Sequence, residues 1–78
     1  MIDPTDLILE VQESKRRIIV TLPPTRFSLT FTVPKQTGVF ASFGYVPDDP
    51  DAAITSGEFS RRAEEVARSK AQILGWIK

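Results

Sequence analysis

From residue 59 onward, apolar side chains recur at spacings of three and four: Phe59, Ala63, Val66, Ala67, Ile73, Leu74 and Ile77. That is one stripe on a 3.6-residue period, with Arg61, Glu64, Glu65, Arg68 and Gln72 on the other side. The spacing predicts an amphipathic helix over 56–75. Thr55-Ser56-Gly57-Glu58 fits a capping box, in which Thr55 caps and Glu58 reaches back. Gly75 stands where a left-handed residue would stop the helix. Between 26 and 33 the pattern changes to strict alternation. Phe27, Leu29, Phe31 and Val33 point one way, and Ser28, Thr30 and Thr32 the other, as in a half-buried strand. A turn at 34–38 leads to a second strand over 39–46, whose Val39, Ala41, Phe43 and Tyr45 can share the Phe27/Phe31 face. The β-branched run 17–22 is a third strand, ended by Pro23-Pro24.

The first sixteen residues read two ways. Asp3-Pro4-Thr5-Asp6 is a good helix start, with Leu7, Ile8 and Val11 facing inward. Against it, Leu7, Leu9 and Val11 alternate with Ile8, Glu10 and Gln12, as in a strand. The helix is the reading adopted. The chain is then one small α+β domain of order α-β-β-β-α. A three-stranded antiparallel β-meander, four-stranded if the N-terminal segment is extended, packs on a C-terminal amphipathic helix. Segment boundaries fall at 1–16 (helix or strand), 17–46 (meander), 47–55 (acidic, proline-rich loop) and 56–75 (helix). The expected core is Ile19, Phe27, Leu29, Phe31, Phe43, Val66, Ile73 and Leu74.

Composition narrows the chemistry. The 78 residues are 41% hydrophobic and 26% charged, an ordinary globular balance for one domain. There is no Cys and no His, so neither disulfide nor thiolate nor imidazole chemistry is available. The four glycines are isolated and form no phosphate loop. Asp48, Asp49 and Asp51 lack the central glycine and closing glutamate of a calcium loop, and read as a solvated turn. The expectation is a non-enzyme with no catalytic residue, no metal and no cofactor. No apolar stretch approaches a membrane span and no signal peptide is visible, so a cytoplasmic protein is expected.

Ten basic and ten acidic residues cancel, but in blocks. Segments 1–10, 11–35, 36–58 and 59–78 carry −3, +4, −4 and +3. Two binding functions follow. The first is a protein-interaction module that binds another protein, or itself as a homodimer, through a sheet face left open by the single helix. Ser28, Thr30, Thr32 and Ser42 would line that face, with Phe40 as its aromatic anchor. The second is RNA or DNA binding through Lys15, Arg16, Arg17, Arg26, Arg61 and Arg62, disfavoured by the zero net charge. The α-β-β-β-α order resembles that of the double-stranded RNA-binding domain. There, basic residues at the start of the last helix and a loop after the first strand touch the duplex. The resemblance implies such roles for Arg61, Arg62 and Arg26, and is one of topology only. Trp76 is expected to staple the helix end to the sheet.

Overall fold

The structure, a computed structural model, describes residues 7–23, 25–44, 46–47, 49–52 and 54–77. Four strands, β1 (Ile8–Gln12), β2 (Arg17–Thr21), β3 (Ser28–Thr32) and β4 (Ala41–Phe43), precede one helix, α1 (Ser56–Ile73). The strands form an antiparallel sheet in sequence order, β1-β2-β3-β4. This is an α+β domain with a β-meander and a C-terminal helix.

The expected first helix is corrected to a strand. β1 pairs with β2 along its whole length, with Leu9 opposite Val20 and Val11 opposite Ile18. The alternation of Leu7, Leu9 and Val11 therefore decides the segment, because it extends the buried face of the sheet. The Asp3-Pro4 helix signal lies outside the described residues. Only Glu13–Lys15 coil, into a single 3-10 turn ending at Arg16. The likeness to the double-stranded RNA-binding domain does not extend to Ile8–Gln12, which is a strand.

One face of the sheet carries Ile18, Val20, Leu22, Phe27, Leu29, Phe31 and Val33, all buried. Helix α1 lies over β2 and β3. Its contact stripe is Phe59, Ala63, Ala67 and Ala71, each fully buried at a spacing of four. Three alanines in a row bring the helix backbone close to the sheet. Phe59 starts the stripe, its ring 5.2 Å from that of Phe27.

Five members of the expected core need correction. Ile19 sits opposite Thr30 on the other face, because Ile18 and Val20 hold the inward parity of β2. Phe43 and Ile73 are exposed, and Leu74 is only half-buried. Val66 is partly buried at the flank of the helix.

The helix ends follow from their sequences. The Thr55 hydroxyl accepts from the Glu58 amide at 3.1 Å, but Glu58 does not reach back. Its carboxylate instead accepts from Arg61 at 2.8 Å and Arg62 at 2.9 Å. At the other end Gly75 adopts φ +78°. The Trp76 amide then reaches the Ala71 carbonyl and the Gly75 amide the Gln72 carbonyl, which is a Schellman stop. Trp76 and Ile77 fold back on the core.

Trp76 meets Arg16, which holds a left-handed backbone (φ 55°) that a non-glycine residue adopts only when its surroundings compensate. Its carbonyl accepts from the Val33 amide at 3.0 Å, and its Nε donates to the Val33 carbonyl at 2.9 Å. The guanidinium also lies 5.1 Å from the Trp76 ring centre.

Candidate functional site

The uncovered face of the sheet is set by register. Three cross-strand rows run over it: Gln12–Arg17–Thr32–Ala41, Glu10–Ile19–Thr30–Phe43 and Ile8–Thr21–Ser28. Thr and Ser on β3 are half-buried among their neighbours, as expected for Ser28, Thr30 and Thr32. Large apolar side chains interrupt them. Ile8 is 54% exposed and Phe43 48%. Ile19, between them, is half-buried by its flanking strands. Arg17 lays its guanidinium 5.4 Å from the Phe43 ring centre.

Two expected members of this face lie on the other one. Phe40 stacks on Phe31, with ring centres 5.1 Å apart, and Arg68 of the helix covers it at 4.6 Å. Ser42 is paired with Phe31, so it too points to the helix side, at the exposed edge. The parity of β4 is thus opposite to expectation. Residues 39–46 are apolar at both parities, and the pairing of Thr30 with Phe43 selects one. The aromatic anchor of the open face is Phe43.

The six basic residues do not form one patch. Lys15, Arg16 and Arg17 line an open depression of about 400 Å³ at one end of the sheet, together with Thr32 and Lys35. Arg26 lies six residues before Thr32, about 20 Å away along β3 at ~3.3 Å per residue. Its backbone amide donates to Asp49 at 2.9 Å. Arg61 and Arg62 belong to that far end as well, since α1 starts beside Phe27 and ends beside Arg16.

The two ends also differ in charge balance. Glu58 pairs with Arg61 and Arg62, and Glu65 with Arg61 at 3.4 Å. Among the described residues, no ion pair involves Lys15, Arg16, Arg17 or Lys35. The sheet-end depression therefore gathers basic side chains that no described carboxylate pairs, and it adjoins Phe43 through Arg17. Arg68, on the same helix, lays its guanidinium over the Phe40 ring.

The hydrogen bond from Arg61, then that from Arg62, holds the Glu58 carboxyl below its ordinary value of 4.5. A lowered carboxylate stabilises the fold fully above that value. The contribution is lost as pH falls below 4.5 through the lowered folded-state value. The effect is small, because the pair is solvent-screened. We expect Glu58→Gln to lower the urea midpoint at neutral pH, and the difference from the parent protein to shrink as pH falls from 4.5 through the lowered value and the parent carboxyl becomes as neutral as the amide. A deficit that stays the same as pH falls would mean that the ion pairs contribute nothing and that the substitution disturbs the helix start by other means.

Ile8, Ile19, Phe43 and Lys35 are members of the site that sequence reasoning missed. Lys35 was legible as part of the basic block 11–35. The other three required the strand register. No helix of the described residues is long and apolar enough to cross a membrane. Searches for a matching family model, curated protein or solved structure find none, so no relative's role transfers to this chain.

Proposed function

We propose that the protein is a non-catalytic, cytoplasmic interaction module that docks another protein against the open sheet face. The observation that carries this reading is the set of apolar side chains on the sheet face away from the helix, exposed Ile8 and Phe43 with half-buried Ile19, bordered at one end by Lys15, Arg17 and Lys35, which make no ion pair among the described residues. Aliphatic side chains at the centre of a face suit apolar partner side chains, and an aromatic beside an arginine is a frequent interface anchor. Charge complementarity gives the partner's chemistry: an apolar patch with carboxylates at the side facing Lys15 and Lys35.

The test is affinity purification of the tagged protein from its native cells, with and without nuclease, beside a Phe43→Ala variant. Phe43 is half exposed, so the variant should fold with little loss. A protein retained by the parent in both samples and lost at least tenfold with Phe43→Ala is the expected result, a hot-spot effect of about 1.4 kcal/mol or more. Full retention by Phe43→Ala means that the face is not the docking surface.

Nucleic-acid binding is the second reading, and the uncompensated charge of Lys15, Arg17 and Lys35 favours it. It draws on Lys15, Arg16 and Arg17, with Arg26, Arg61 and Arg62 left at the far end. Its signature is capture that disappears with nuclease, and an affinity that falls steeply with salt as counterions are released.

A further inference from the structure

We propose that the depression at one end of the sheet is a binding site for a small, compact anion that carries a phosphate or pyrophosphate group. Its lining comes from two places in the chain. Ser14, Lys15, Arg16 and Arg17 belong to the 3-10 turn and the start of β2, whereas Thr32 and Lys35 end β3 and open the turn after it. Among the described residues, this lining holds four cationic side chains and no carboxylate. Glu13, on the same 3-10 turn, is exposed and is not part of it. None of the four cations makes an ion pair among the described residues.

The four cations divide into one that builds the site and three that remain available. Arg16 donates from Nε to the Val33 carbonyl at 2.9 Å and lays its guanidinium beside Trp76. Its own carbonyl accepts from the Val33 amide at 3.0 Å, so two hydrogen bonds tie the first turn to the second. The left-handed backbone of Arg16 (φ 55°) is held in place by these contacts. The second turn is closed by the Pro34 carbonyl, which accepts from the Gly38 amide at 2.7 Å and from the Thr37 amide at 3.2 Å. The frame is thus set by the protein's own bonds, and a ligand has little backbone to order.

Lys15, Arg17 and Lys35 supply the charge, and the hydroxyls of Ser14 and Thr32 add neutral donors to the same lining. A carboxylate brings one charge and two oxygens. A phosphate group brings about −1.5 to −2 charge and three strong acceptor oxygens, which suits several donors around one hollow. Arg17 adds a planar fork that fits phosphate geometry. The volume of about 400 Å³ lies at the lower end of the range for small-molecule sites. A nucleic-acid strand would use cations spread along a track with aromatic stacking platforms between them. The cations here converge on one depression, and Arg61 and Arg62 at the far end are already paired with Glu58. A small phosphorylated ligand therefore fits better than a strand. This site does not depend on a partner docking at the Phe43 face.

Titration of the isotope-labelled protein with sodium pyrophosphate at constant ionic strength, followed through the backbone amide resonances, tests this. The expected result is saturating shifts at residues 14–17 and 32–36, with the amides around Phe59 unmoved. Lys35→Gln, at an exposed turn position, should weaken binding about tenfold, the effect of one charge-assisted hydrogen bond. Arg26→Gln removes the same charge about 20 Å away and should bind as the parent does. Pyrophosphate should also raise the melting temperature of the parent more than that of Lys35→Gln, since only the folded state holds the site. A single-stranded oligonucleotide at equal phosphate concentration should bind no more tightly than pyrophosphate. Tighter binding of the oligonucleotide would make the ligand a strand and overturn the proposal. Shifts that do not saturate, or equal affinities for Lys35→Gln and Arg26→Gln, would mean diffuse charge attraction only and overturn it as well. Anion binding that persists without a protein partner, or the reverse, separates this site from the docking face.

Discussion

Replacement of Phe59 by alanine is expected to lower stability by about 3–5 kcal/mol, the usual result for emptying a fully buried aromatic site. The side chain has no exposed surface and its ring packs on Phe27. Its neighbours on the helix are Ala63, Ala67 and Ala71, which cannot relax into the void. At ~0.05–0.15 kcal/mol per residue, a domain of this length has only about 4–12 kcal/mol in total. The substitution therefore removes about a quarter of the stability or more. Urea unfolding followed by the fluorescence of Trp76 reads the loss from the opposite end of the helix, so a drop in midpoint reports the whole domain. A loss under about 1 kcal/mol would mean that the Phe59 ring is not part of the core.

Ala67→Leu is the second large effect, and its sign comes from excess rather than absence. Ala67 lies at the middle of the alanine stripe with no exposed surface. Leucine and alanine differ little in helix propensity, so the isolated helix would barely change. Three added carbons must fit between the helix and strands β2 and β3, in a cluster whose members are all buried. Overpacking of this kind costs typically about 1–3 kcal/mol. The helix must lift or tilt, and either movement strains the Phe59–Phe27 contact at one end or the Trp76–Arg16 contact at the other. Thermal unfolding of Ala67→Leu beside Glu64→Leu, whose parent side chain is exposed on the same helix, separates packing from propensity. Equal melting temperatures for the two would show that the stripe has room to spare.

The helix was legible because period, cap and stop agree: apolar residues at spacings of three and four, Thr55 before them and Gly75 after. β3 was legible because its alternation is strict. The failures occur where local pattern is degenerate. Residues 17–22 are apolar at both parities, so nothing local says that Ile18 rather than Ile19 turns inward. Residues 39–46 share that ambiguity, and only the pairing with β3 settles that Phe40 goes under the helix and Phe43 into solvent. At the C-terminal turns, size misled. Ile73 and Leu74 look like core because they are large, whereas the close approach of the helix requires Ala71 there and leaves Ile73 outside. The open face could be anticipated as a surface, with Ser28, Thr30 and Thr32 on it, but its anchor could not.

Every strand of this sheet is bonded to the one next to it in sequence. Closing a short connection costs little chain entropy, and the cost grows only with the logarithm of loop length. The meander can therefore assemble hairpin by hairpin, each step local. The long closure is left to the single event in which residues 56–77 settle onto strands laid down some thirty to sixty positions earlier. Such a chain has low contact order for a sheet protein, which places it toward the faster end of the folding rates seen for mixed α and β domains.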